Sequence, residues 1–391
     1  MNERTIYLDN NATTPLHPEV IAELTNSFKL YGNPSSMHSY GRESMARVEW
    51  AREQVALLIN ADKDEIIFTG GGSESNNMVL KQFLINSDPA KRNKIITSEI
   101  EHPCVLETVK LLGTKGFEAV FISVDNKGRI NIDELEKAVD ENTAIVSIMF
   151  ANNEIGTIQD IKKISEIAHK HGSLMHTDAV QALGKIKVDI KDLDIDFLTF
   201  SGHKFYGPKG VGGLYIKKGI KIVPLINGGH QEYGLRAGTI NGPGIAGVGK
   251  AAEIARSELD NEAEKIIAMR NRLETGIVKL IPDIHINGDP HNRLPGTLNI
   301  SFPGAEGESI LLYLDLSGVA VSTGSACATG SLEPSHVLLA TGVDVEYAHG
   351  SIRFSFGRFN KEEDVDYVLS ILPGIIEKIR TMSTFSKKGV K

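Results

Sequence analysis

The stretch SLMHTDAVQALGKIKVDIKDLDIDFLTFSGHK (173–204) decides how this chain is read. It holds two short apolar runs, SLMHTD (173–178) and DFLTFS (196–201), and each ends among groups that can do chemistry. Asp178 and Gln181 follow the first run; Ser201, His203 and Lys204 follow the second. Short apolar runs bounded by polar residues read as strands. In an open α/β sheet, ligands collect at the carboxyl ends of the strands, so the residues after each run are the ones to weigh.

The same texture extends on both sides. EIIFT (65–69), KIITS (94–98), EAVFISV (118–124), AIVSIMF (144–150) and VGGLYI (211–216) complete a set of seven strands. Between them lie helical patterns such as PCVLETVKLLGTKG and DIKKISEIAHKHG. Apolar strands alternating with amphipathic helices predict an α/β fold with a large, mostly parallel seven-stranded sheet. The last two strands are close enough to form an antiparallel pair. After about residue 245 the texture changes. The long helical patterns AGVGKAAEIARSEL and AEKIIAMRNRLETGIVKLI lead into TLNISF, SILLYLDLSG, VAVSTG and GSIRFSF. The expected division is a large α/β domain over 16–258 and a smaller α+β domain of 1–15 plus 259–391.

Composition narrows the function. The chain has 391 residues, 41% of them hydrophobic, and a net charge of −8. It lacks the basic face that nucleic acid requires. No apolar run approaches a membrane span of roughly 18 residues. The opening MNERTIYLDN lacks the apolar stretch of a signal peptide, which predicts a cytoplasmic protein. Cys104 and Cys327 are the only cysteines, with no zinc-ligand spacing near either, so neither a disulfide framework nor a metal site is expected.

Three further strand ends are polar. EIIFT runs into GGGSESNN (70–77), KIITS into EIEHP with His102, and AIVSIMF into ANNEIG with Asn152, Asn153 and Glu154. GGGSESNN reads as a glycine turn feeding a helix whose free amides suit a phosphate, although a plain capped helix start is the commoner use. No G-K-[ST] or G-x-G-x-x-G supports a nucleotide instead. A buried Asp178 needs a cationic partner. Taken alone, His102 fits a satisfied core histidine as well as it fits a ring-stacking or proton-carrying one. A lone lysine in a glycine loop is normally a solvated charge. With Asp178 and an anion site in register, Lys204 instead suggests a Schiff-base lysine, with the aspartate on a pyridinium nitrogen, as in pyridoxal phosphate (PLP) enzymes.

The stretches YLDNNATTP (7–15), YGNPSSMH (31–38), EHPCVLETV (101–109), ANNEIGT (151–157), HTDAVQALGK (176–185), SGHKFYGPKG (201–210), GGHQEYGLRAGT (228–239) and STGSACATGSLEPSHV (322–337) resemble NifS/IscS-type cysteine desulfurases. These are fold-type I PLP enzymes of the class V aminotransferase group. The resemblance spans nearly the whole chain and implies a role for each matching residue. Lys204 would bond the cofactor aldehyde, Asp178 would face the ring nitrogen, Gln181 the phenolic oxygen, and His102 would stack on the ring. Gly72, Ser73, Ser201 and His203 would bind the phosphate, with Thr239 reaching the phosphate of the other subunit in a homodimer. Arg353, helped by Asn153, would clamp the substrate carboxylate, a task that suits a guanidinium fork. Ser73 stands where many members carry threonine, and the hydroxyl is kept.

Cys327 lies in TGSACATGS, a run of small residues with little to pack, where function rather than core burial is expected. As a thiolate it would be the nucleophile that takes sulfur from L-cysteine, leaving L-alanine, with His102 as a candidate proton carrier. The sulfur would pass to an iron–sulfur scaffold or another acceptor protein. Cys104, followed by apolar residues, reads as structural. Rival readings are an aminotransferase, kynureninase-like hydrolase or selenocysteine lyase on the same scaffold, a non-catalytic assembly platform, and a nucleotide-binding protein. Cys327 discriminates against transamination, and the full set of Lys204, Asp178, His102 and Cys327 against a platform.

Overall fold

The structure is a computed structural model that describes residues 5–86, 92–323 and 334–382. Its strands, in chain order, are β1 (Ile6–Tyr7), β2 (Ile66–Thr69), β3 (Lys94–Ser98), β4 (Glu118–Ile122), β5 (Thr143–Ser147), β6 (Leu174–Asp178), β7 (Phe197–Ser201), β8 (Gly212–Ile216), β9 (His285–Asn287), β10 (Thr297–Ser301), β11 (Val319–Ala320), β12 (Ser322–Thr323) and β13 (Ser351–Ser355). The seven expected strands form one sheet in the order β2-β8-β7-β6-β5-β3-β4. All neighbours run parallel except β8, which is antiparallel to both β7 and β2.

Alternation along these strands places apolar side chains on both faces. Ile66, Phe68, Ile96, Val146, Leu198 and Phe200 join one core cluster, and Ile67, Ile95, Ile145, Phe197 and Leu214 another. A sheet covered on both sides is why the strands read as continuous apolar runs rather than as alternating ones. The run AIVSIMF gives a strand only to Ser147, and the following residues leave the sheet to begin a loop.

The two long helical patterns are one helix, Gly242–Leu280. No glycine or proline interrupts RSELDNEA between them, so nothing ends the helix there. Its first half packs Ile245, Val248 and Ala252 into the large-sheet core, and its second half packs Met269, Leu273 and Ile277 into a second core. The division expected at residue 258 therefore falls inside a continuous helix. The second core also holds Ile6 and Leu8, because β1 pairs in parallel with β11. A four-stranded sheet, β12-β13-β10-β9, completes this half, with a helix at Gly307–Leu316 where SILLYLDLSG was read. VAVSTG splits between two sheets: β11 pairs with β1, and β12 pairs with β13. Strand β9 gave no signal in the sequence, being three residues long and two-thirds polar.

Candidate active site

The carboxyl ends of β6 and β7 lie side by side, Asp178 opposite Thr199, so the groups that follow them converge. They open on a cavity of about 290 Å³ lined by Gly72, Ser73, His102, Asn153, Asp178, Gln181, Ser201, His203, Lys204 and Arg353. These are the predicted residues other than Cys327, which lies outside the described residues, and Thr239, which is exposed and outside the cavity.

The glycine turn has a steric cause. Gly71 has φ 151°, a left-handed value that disfavours a side chain, and a Cβ on Gly72 would lie 2.7 Å from Val180 Cγ2. The helix Gly72–Asn86 thus starts against the loop after β6, with its free N-terminal amides at the cavity edge. Ser201 and His203 line the same end, and His203 Nδ1 is 3.1 Å from Thr13 Oγ1. Burial, aided by the charge of Lys204, pushes His203 down to about 4, so its ring is neutral at pH 7.

Asp178 is buried, and its oxygens accept from neutral donors: Asn76 Nδ2 at 2.6 Å and the amide of Val180 at 2.9 Å. A buried carboxylate is stable only with compensation. Lys204 Nζ, one turn beyond β7, donates to the carbonyls of Asn11 (2.6 Å) and Ala12 (2.8 Å). Gln181 Nε2 donates to the same Asn11 carbonyl at 2.9 Å.

His102 caps the helix Pro103–Gly113: its Nδ1 accepts the amide of Cys104 at 3.2 Å, and proline at the first helical position suits the missing donor. An accepting Nδ1 leaves the proton on Nε2. Burial lowers the His102 pKa, with Asp178 opposing and Lys204 adding to the shift, so the ring is neutral. Cys104, read as structural, lines the cavity with Sγ 3.0 Å from His102 Nδ1. Burial, with Asp178, pushes its thiol up to about 12, so it stays protonated and is a poor nucleophile.

Arg353, on β13, reaches the cavity from the second sheet. Its Nη1 donates to the Asn153 carbonyl at 3.0 Å and its Nη2 to Asp9 Oδ1 at 2.7 Å, while Nε has no hydrogen-bond partner. Beside it, Glu154 is buried and accepts from Ser335 Oγ at 2.5 Å; burial pushes its carboxyl up to about 7. The sequence reading missed Asp9, Asn11, Ala12 and Asn76. Asp9, Asn11 and Ala12 stand in YLDNNATTP and Asn76 in GGGSESNN, but only the folded chain brings Asn11, Ala12 and Asn76 to the cavity and Asp9 to Arg353.

The residues fit PLP on three structural counts. A buried carboxylate with only neutral donors would compensate a protonated ring nitrogen. An amine lines the same cavity, and a helix N-terminus behind a side-chain-free turn offers amides to a phosphate.

The sequence profile of the aminotransferase class-V family matches residues 6–368. A protein named cysteine desulfurase IscS from Dictyoglomus turgidum is 51% identical, covering 99% of this chain and 98% of that one. Another of that name from Clostridium botulinum is 49% identical, covering 98% and 97%. Among solved structures, a NifS-like protein superimposes with a TM-score of 0.90 at 43% identity, over 96% of this chain and 100% of that one. A NifS-like protein from Rickettsia africae gives a TM-score of 0.87 at 33% identity, over the same shares. With fold, length and sequence in agreement, the chain belongs to the class-V aminotransferase family, in its NifS/IscS-type cysteine desulfurase branch, and has the fold-type I architecture.

Proposed function

We propose that the chain converts L-cysteine to L-alanine as a PLP-dependent cysteine desulfurase, transferring the sulfur to its own Cys327 and supplying it for iron–sulfur cluster assembly. The observation that carries this reading is the convergence of Lys204, Asp178, His102 and Arg353 on one cavity, in a chain whose relatives bear that name over their full length. PLP, when bound, supplies an aldehyde for the substrate amine and a ring that stores the electron pair of a broken bond.

Asp178 would hold the ring nitrogen, His102 stack on the ring face, Gln181 donate to the phenolic oxygen, and Gly72, Ser73, Ser201 and His203 hold the phosphate. Arg353, which lines the cavity with its Nε unpartnered, would receive the substrate carboxylate, and Asn153 lines the same cavity. This orients the substrate so that Lys204 Nζ takes and returns the proton at its Cα. The Cys327 thiolate forms a bond to the substrate sulfur. The substrate Cβ–S bond breaks, its electron pair goes to Cβ, and a proton completes the alanine methyl. The enzyme thiol is thereby oxidised to a persulfide and the substrate carbon reduced, so the overall step needs no other redox partner.

The enzyme works as a homodimer in which Thr239 of one chain serves the phosphate of the other, a reading supported by its exposure outside its own cavity. It acts in the cytoplasm and passes sulfur to a scaffold or other acceptor protein. A free thiol nucleophile suits a reducing compartment, and among the described residues no helix is long and apolar enough to cross a membrane.

The test is to give the purified enzyme L-cysteine and a thiol reductant, then measure alanine and sulfide together. Equal amounts of both, lost in Cys327→Ala, are expected. Pyruvate and ammonia in their place, or alanine formation unaffected by the substitution, would overturn the reading.

A further inference from the structure

Lys185 takes no part in the chemistry above, yet it is held beside the cavity by two short hydrogen bonds. It lies in the turn after the Asp178 strand and borders a separate void of about 20 Å³ behind the cavity. The residue is half-buried, and its amine donates to Gln181 Oε1 at 2.6 Å and to Asn11 Oδ1 at 2.9 Å. Burial holds its pKa well below the lysine range; Lys204 and Arg353 push the same way and Glu262 opposes them. Withdrawing an amine to such a place is costly, so its partners matter.

The contacts fix the orientation of an amide. Gln181 meets the Lys185 amine with its oxygen, which only accepts, so the amine donates there whether or not it carries a charge. The nitrogen of the same amide faces the Asn11 carbonyl at 2.9 Å, an atom that only accepts. Each end of the Gln181 amide thus has its own partner, and one Nε2 hydrogen remains for the cavity that Gln181 lines. Lys185 also steadies Asn11, whose carbonyl accepts from Lys204 Nζ at 2.6 Å and whose Nδ2 donates to the Asn153 carbonyl at 3.2 Å.

We propose that Lys185 is a positioning residue of the cofactor site, holding Gln181 so that an N–H rather than an oxygen faces the cofactor's phenolic oxygen. The inference rests on the reading that PLP occupies this cavity. Loss of Lys185 would leave Gln181 Oε1 without this donor and the amide held at one end, so that it drifts and its N–H presents less well to an anionic oxygen.

The experiment is a double-mutant cycle on cofactor affinity rather than on turnover. Cofactor is removed from the purified enzyme, and PLP is titrated back into wild type, Lys185→Met, Gln181→Leu and the double variant, following fluorescence and the absorbance maximum of the bound cofactor. Each single variant is expected to bind PLP about tenfold more weakly, the scale of one lost hydrogen bond. The double variant is expected to bind no more weakly than Gln181→Leu alone, with the absorbance maximum displaced alike in all three. Single-variant losses that multiply in the double would mean two independent contacts and would overturn the proposal. A Lys185→Met protein with lowered Tm but wild-type affinity would also overturn it, because that is the signature of a purely structural lysine. If Lys185→Met does not fold, Lys185→Gln, which removes the charge at smaller volume, takes its place in the same cycle with the same outcomes. Wild type that takes up no PLP would overturn the cofactor reading, and this proposal with it.

Discussion

Arg353 and Asp9 meet at 2.7 Å, Nη2 to Oδ1, although the two residues stand at opposite ends of the chain. The pair forms because β13 is bridged to the N-terminal segment: Asp9 and Ser355 make an isolated parallel bridge. With Nη1 on the Asn153 carbonyl and Nη2 on Asp9, the guanidinium is held rigid while its buried Nε has no hydrogen-bond partner. Rigid planar donors of this kind recognise carboxylates two bonds at a time.

Arg353→Lys keeps the charge and loses the fork. The expected result is a rise in KM for L-cysteine of about 10- to 100-fold, or about 1.4–2.7 kcal/mol, with a much smaller change in kcat. Steady-state kinetics checks it. A fall in kcat at unchanged KM would contradict the carboxylate role.

Lys204→Ala removes the amine that donates to Asn11 and Ala12. Borohydride reduction of the wild-type enzyme with PLP is expected to attach the cofactor to the peptide bearing Lys204, as read by mass spectrometry. The variant should carry no such adduct and should lose about 10²–10⁴-fold in rate. Reductive labelling of any other lysine in wild type would refute the assignment.

The pH profile reports on His102. Burial, the largest cause, lowers its pKa from 6.5, and its Nδ1 is occupied by the helix amide. The ring therefore protonates only in acid, and any limb of kcat/KM it controls should lie below pH 6.5 and vanish in His102→Gln. A limb centred above that value and abolished by the substitution would show that the site raises this pKa instead.

Two buried carboxyls make stability depend on pH in an unusual direction. Burial pushes Glu101 from 4.5 up to about 8, although Ser98 Oγ (2.6 Å) and the Met149 amide (2.9 Å) donate to it. Glu154 is pushed from 4.5 up to about 7. Between the unfolded and folded values the native state holds more protons than the unfolded chain. Each group's contribution therefore falls as pH rises, by at most about 1.4 kcal/mol per pH unit. Urea unfolding of Glu101→Gln against wild type should show the variant gaining relative stability from pH 5 to pH 8 and levelling off beyond. A flat difference across that range would mean that Glu101 is ionised throughout.

Arg52 and Glu232 form a buried bidentate pair, Nη1–Oε2 at 2.7 Å and Nη2–Oε1 at 2.9 Å, which also ties down the 228–239 loop that leads to Thr239. Arg52→Met would strand a buried carboxylate with the Phe68 amide as its remaining donor. A loss of about 3–5 kcal/mol in urea unfolding is expected. A change under about 1 kcal/mol would mean that water reaches Glu232 once the arginine is gone.

The order of the elements and the chemistry of the strand ends were written locally. Apart from the edge strand β4, the seven strands are runs buried on both faces, and a two-faced run needs no distant information to be seen. Asp178, Ser201, His203 and Lys204 sit within a few residues of such runs, so parallel pairing alone brings them to one edge. Other features depend on pairings hundreds of residues apart in the chain. The order β2-β8-β7-β6-β5-β3-β4 rests on pairings between remote strands, the split of VAVSTG requires β11 to find β1 and β12 to find β13, and the N-terminal segment that carries Asp9, Asn11 and Ala12 is held by β1 on β11 and Asp9 on Ser355. The same is true of the second sheet's delivery of Arg353 and of the orientation that Lys185 and Asn11 impose on Gln181. Periodicity and strand-end chemistry are properties of neighbouring residues, so the sequence by itself determined the sheet, the lysine and the aspartate. Burial, carboxyl shifts and amide orientation arise only when remote segments exclude water from one another, and those the tertiary structure alone decided.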